Sequence, residues 1–97
     1  MYTLIVNLQA KKGKEEELIK TMRDASAKVR ENEKDTIAYK VFRNTKHSSK
    51  FLFFEQYKNK ESWEQVHMNK PYIKQAVEKL SELLDGEMDV TEYEGIV

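Results

Sequence analysis

The chain has 97 residues, with 17 basic and 17 acidic side chains, no cysteine and one proline. That length suits one domain, residues 1–97, and excludes two independent cores. A net charge of zero gives no electrostatic case for nucleic acid or an anionic membrane as partner. The lack of cysteine removes disulfides, thiolate zinc sites, iron–sulfur clusters and cysteine nucleophiles. No apolar run approaches the roughly 20 residues of a membrane helix, and Met1–Ala10 lacks the basic start and small-residue cleavage site of a secretory signal. A soluble, cytoplasmic protein is expected.

Periodicity divides the rest. Tyr2–Ala10 alternates as a strand, with Tyr2, Leu4, Val6 and Leu8 on one face and Thr3, Ile5, Asn7 and Gln9 on the other. Lys11-Lys12-Gly13 breaks it. Glu15, Glu16 and Glu17 then suit the first turn of a helix, and Leu18, Met22, Ala25 and Val29 form its apolar stripe to about Asn32. Thr36–Arg43 reads as a second strand, with Ile37, Tyr39 and Val41 on one face. Phe51–Tyr57 reads as a third, apolar on both faces from Phe51 to Phe54. Asn59 is placed to cap a short helix carrying Trp63 and Val66. Asn69 is placed to cap the next helix, with Pro71 in its first turn. Ile73, Val77, Leu80 and Leu84 give that helix its stripe, Gly86 ends it, and Met88–Tyr93 is a weaker fourth strand.

The resulting order, β-α-β-β-α-β, is the ferredoxin-like α+β pattern: an antiparallel sheet with helices on one face. Charged residues are 35% of the chain and hydrophobic ones 39%, so apolar side chains are scarce. Yet the first and third strands carry them on both faces, and two helices cover one face only. An uncovered aromatic face is a large apolar patch, which predicts a homodimer joined sheet to sheet.

Few residues suggest chemistry. His47 sits in a polar turn and reads as solvated. His67 follows Trp63 by four residues on one side of a helix; it is either a helix-terminal residue favoured by the dipole or a residue at a pocket mouth. Glu55 interrupts an apolar strand, so it sits either at the sheet rim beside a lysine or in a pocket with a raised pKa. Asn7 could satisfy backbone or direct its carboxamide at a ligand. Tyr39, Tyr57, Trp63 and Tyr72 supply aromatic surface, most simply as core. No zinc motif, phosphate-binding glycine loop or Ser-His-Asp pattern is present, so no zinc site and no nucleotide or flavin cofactor is expected; Glu55 and His67 with one more carboxylate could form a facial triad, but nothing in the spacing demands it, and no metal is expected.

Phe51-Leu52-Phe53-Phe54-Glu55-Gln56-Tyr57, the short helix with Trp63, then His67 and Pro71-Tyr72, resemble the antibiotic biosynthesis monooxygenase family. Its pattern is an apolar strand ending in Glu-x-Trp/Tyr, a short acidic helix, a His, and a Pro. The resemblance implies a dimeric α/β barrel and a cofactor-independent monooxygenase acting with dioxygen on a small aromatic or quinol substrate. His67 or Glu55 would then be the base, Asn7 an oxyanion donor, and Trp63, Tyr72, Tyr39 and Phe53 pocket walls. The alternatives are a non-oxidative binding protein or isomerase of the signalling-sugar type, and a dimer without chemistry. Haem degradation ranks lower, because the axial His position falls near Ala76. The stretch from Glu55 to His67 is one residue longer than the family's usual spacing, which predicts a bulged helix or a rotated His67. Replacing His67 by Ala is expected to spare folding and lower activity.

Overall fold

A computed structural model describes all 97 residues. The sheet is antiparallel, and its strands are β1 (Tyr2–Gln9), β2 (Thr36–Arg43), β3 (Lys50–Tyr57) and β4 (Asp89–Glu94). They lie in the order β2-β3-β1-β4, so β3 and β1 are central and β2 and β4 are edges. Two helices, α1 (Glu15–Asn32) and α2 (Pro71–Leu83), cover one face. A short helical segment from Ser62 to Asn69 joins β3 to α2. This is the ferredoxin-like α+β arrangement expected from the element order. No helix is long and apolar enough to cross a membrane.

Strand alternation sorts the side chains. Leu4, Val6 and Leu8 of β1 and Phe51, Phe53, Glu55 and Tyr57 of β3 are all buried, because they share the face under the helices. They meet Leu18, Met22 and Val29 of α1 and Ile73, Leu80 and Leu83 of α2 in one core. The register pairs Val6 with Phe53 and Leu4 with Glu55 across β1 and β3. Tyr39 of β2 lies opposite Glu55 on the other side. Glu55 is therefore at the centre of the covered face, with Leu4 and Tyr39 flanking it.

The opposite face carries Ile5, Leu52 and Phe54, which are half-buried, and Phe42 and Tyr93, which are 52% and 53% exposed. Its apolar character follows from the two-faced strands. Some local expectations are corrected. A register shift between Thr36 and Ala38 leaves Ile37 52% exposed, so it does not pack with Tyr39 and Val41. Lys70, not Asn69, is the cap residue of α2, with Pro71 in the first turn; Asn69 instead donates from Nδ2 to the Gln65 carbonyl at 2.7 Å. Leu84 closes α2 by donating its N–H to the Leu80 carbonyl, and Gly86 follows with φ of 89°, a left-handed turn that a side chain would strain. Asn59 does cap the short helix: its Oδ1 accepts from the Ser62 N–H at 2.9 Å.

Candidate active site

The short helical segment sets the site. The His67 N–H is directed at the carbonyls of both Ser62 and Trp63. The bond to Ser62 spans five residues and is π-helical, a geometry that accommodates one extra residue per turn and recurs at functional sites. The stretch from Glu55 to His67 thus contains a π turn over Ser62–Val66. Of the two outcomes the spacing allowed, the bulge is the one found, and it delivers Trp63 and His67 to the same cavity.

His67 is 2% exposed, which a helix-terminal residue serving only the dipole would not be. Its ring lies 5.4 Å from that of Tyr39 and 5.2 Å from that of Tyr57. Nδ1 stands 2.7 Å from Oε1 of Glu33. The same Oε1 accepts from the Thr36 hydroxyl at 2.8 Å, and the Tyr72 hydroxyl donates to Oε2. Burial alone would raise the Glu33 pKa, but the hydrogen bonds from His67, Tyr72 and Thr36 and the His67 charge outweigh it, and the pKa lies below its ordinary value. Glu33 is therefore an ionised acceptor. A carboxylate has no proton to give, so Nδ1 must carry the hydrogen. In the neutral imidazole this leaves the lone pair on Nε2.

Nε2 faces Glu55, whose Oε1 is 3.9 Å away, beyond hydrogen-bond reach. Glu55 is 6% exposed and accepts a bond of 2.5 Å from the Tyr57 hydroxyl. Desolvation is the largest influence on Glu55 and raises its pKa, against the opposing effects of Tyr57 and His67. Burial also raises the pKa of Tyr57 and Tyr39, so both phenols stay protonated. Two carboxyl groups thus flank one imidazole, with pKa values pushed in opposite directions. Such splitting is the pattern by which neighbouring titratable groups can take separate acid and base roles.

A cavity of about 100 Å³ opens beside this cluster, and Glu55 and His67 are its only lining residues that are not hydrophobic. Tyr39, Phe53 and Trp63 are among its lining residues. Met68 and Val90 also line it and are 37% and 48% exposed, so they mark its mouth. Trp63 is held by stacking on Tyr2, with centroids 6.0 Å apart and planes at 22°.

Two expected members are elsewhere. Asn7 is exposed on the opposite face of the sheet, because it alternates with Val6 and Leu8; it lines a shallow surface depression with Lys50 and Asp85 and cannot reach the cavity. Tyr72 does not line the cavity either, and its hydroxyl supports Glu33 instead. Glu33 itself escaped the sequence reading. The signal was present: Glu33 follows Val29 by four residues and so continues the buried stripe Met22, Ala25, Val29 by one turn, at the residue that caps the end of α1. A carboxylate on an apolar stripe needs a partner, and His67 is that partner. Across the chain, no group of three or more His, Cys, Asp or Glu side chains has the arrangement of a metal site.

The antibiotic biosynthesis monooxygenase family model matches residues 1–79. The chain belongs to this family. No curated protein matches it in sequence. Among solved structures, a candidate antibiotic biosynthesis monooxygenase from Deinococcus radiodurans is 21% identical with a TM-score of 0.90, covering 100% of this chain and 94% of that one. A conserved protein from Methanosarcina mazei is 23% identical with a TM-score of 0.88, covering 95% and 89%. A Pseudomonas aeruginosa protein is 22% identical with a TM-score of 0.87, covering 99% and 94%. At these identities the likeness is one of fold. The reaction must be argued from the residues of this family member.

Proposed function

We propose that this protein is a monooxygenase of small phenols or quinols that uses dioxygen without a bound cofactor. The observation that carries the proposal is the position of His67: its ring lines an apolar cavity beside Glu55, while Glu33 holds Nδ1 at 2.7 Å, so a neutral ring would carry its lone pair on Nε2. A base in that position removes a hydroxyl proton from a neutral aromatic guest. The resulting imidazolium is stabilised by the Glu33 charge, and the phenolate becomes electron-rich enough to donate to dioxygen. For a one-ring quinol the balance is quinol plus dioxygen giving hydroxyquinone plus water. One oxygen atom enters the ring, the other leaves as water, and all four electrons come from the substrate. Glu55, with its raised pKa, is suited to return a proton to the departing oxygen.

A cavity of about 150 Å³ holds benzene. The space here is about 100 Å³, so a single ring enters when Met68 at the mouth swings outward. We also propose that the open sheet face pairs with a second copy, since its half-covered Phe54, Leu52 and Ile5 and exposed Phe42 form a continuous apolar patch.

The 3.9 Å pairing of a base with a carboxyl of raised pKa also favours a second reading, proton transfer within one substrate by an isomerase. Oxygen uptake by the purified protein with a panel of quinols separates them. Uptake with at least one quinol supports the oxygenase; turnover that continues without dioxygen supports the isomerase.

A further inference from the structure

A second groove lies on the other side of Met22 and Tyr39, which line both it and the His67 cavity. It runs between α1 and the end of β2, has a volume of about 630 Å³, and is floored by Ile19, Val41 and Phe51. Arg23, Arg30 and Arg43 are the only arginines in the chain, and all of them line this groove. No carboxylate lines it. None of the three forms an ion pair, although Lys20, Lys60 and Lys79 elsewhere do.

Their placement is specific. Arg23 and Arg30 are two helical turns apart on one face of α1, about 10 Å along the axis. Arg43 reaches in from the facing strand, fixed by a 2.7 Å bond from its Nε to the Ser48 carbonyl and by stacking of its guanidinium 5.3 Å over the Phe51 ring. The helix dipole would account for Arg30 in the last turn of α1, but for neither Arg23 nor Arg43. Guanidinium groups bind carboxylate and phosphate with two parallel hydrogen bonds, which lysine cannot do.

We infer that this groove binds an amphipathic organic anion: an aromatic or acyl body on the apolar floor, with a carboxylate or phosphate between the arginines. The groove shares the wall of Met22 and Tyr39 with the His67 cavity, but the inference does not depend on the proposed reaction.

Titration of the isotope-labelled protein with 2-naphthoate, followed by amide NMR, tests the site. The expected shifts fall in Ile19–Arg30 and Tyr39–Arg43. Neutral 2-naphthamide and inorganic phosphate should each bind at least about tenfold more weakly, since each lacks one half of the recognition. The double variant R23Q/R30Q, with thermal unfolding checked against the parent, should lose about tenfold or more in affinity for 2-naphthoate. The variant H67Q should bind it unchanged. The inference is overturned if 2-naphthamide or phosphate binds as tightly as 2-naphthoate, if folded R23Q/R30Q binds as well as the parent, if the shifts centre on Trp63, His67 and Met68, which line only the other cavity, or if no binding occurs at millimolar concentration.

Discussion

Glu33 and His67 are 34 positions apart in the chain and 2.7 Å apart in space, and both side chains are sealed from solvent. Each explains the other. The carboxylate fixes which imidazole nitrogen carries the proton, and the imidazole helps keep the carboxylate ionised inside the protein. The pair closes the end of α1 onto the π turn, so the contact that holds the fold is also the one on which the proposed base depends.

Replacing Glu33 separates the two. E33A leaves the Nδ1 hydrogen and the Tyr72 and Thr36 hydroxyls without their acceptor, and should cost about 3 kcal/mol in urea unfolding. E33Q keeps an acceptor oxygen and should cost about 1 kcal/mol, yet removes the charge that stabilises the imidazolium. Its turnover should fall about a hundredfold. If E33Q matched the parent in rate, Glu33 would have only a structural role.

The two carboxyl groups give opposite pH signatures. The folded-state pKa of Glu33 is depressed below its ordinary 4.5, so its contribution to stability is present above that value and lost as pH falls through the folded pKa. The folded-state pKa of Glu55 is raised above 4.5. Its contribution is complete below 4.5 and lost as pH rises through the folded value. E33Q should therefore flatten the acid limb of the stability curve. E55Q should raise stability on the neutral side, by on the order of 1 kcal/mol, while keeping an acceptor for Tyr57. Chemical denaturation from pH 3 to 8 measures both limbs. A destabilised E55Q at pH 7 would show that Glu55 is ionised in the native state.

Burial changes the expectation for His67. A residue packed between two tyrosines and bonded to a buried carboxylate does not tolerate truncation quietly. H67A should cost about 2–4 kcal/mol, from the cavity and the orphaned Glu33. H67Q can still donate to Glu33 while lacking a base, so it should unfold within about 1 kcal/mol of the parent. The 2% exposure of His67 and its bond to Glu33 are the reason alanine is expected to cost stability as well as activity.

The open sheet face gives an assembly prediction. Phe54 and Phe42 lie on that face in neighbouring strands, opposite Lys40 and Leu52. Sedimentation of the parent at micromolar concentration should give a dimer, and the double variant F42K/F54K a folded monomer. A monomeric parent would leave the apolar face unexplained by self-association.

Much of this was legible because period-2 and 3.6-residue patterns are local. The four strands, both long helices and the buried stripe Leu18, Met22, Ala25, Val29 follow from spacing alone. Glu55 stood out because a carboxylate in an apolar strand demands an account, and strand parity then put it under the helices with Phe53 and Tyr57. The same parity put Asn7 on the far side, a consequence of alternation with Val6 that a motif match does not carry. Glu33 was hidden for a different reason. Its partner is distant in sequence, and a glutamate just past a helix end looks like any solvated charge until the stripe is extended one more turn. The Ile37 bulge and the role of Tyr72 likewise depend on tertiary contacts that no local pattern encodes.

The base assignment at His67 is tested most directly by oxygen consumption, comparing the parent with H67Q on the same quinols, each stripped of metal and haem. The parent should consume one dioxygen per hydroxyquinone formed, and H67Q should be slower by about 10²- to 10⁴-fold while remaining folded. No consumption by the parent with any quinol, or equal rates in the two proteins, would contradict it.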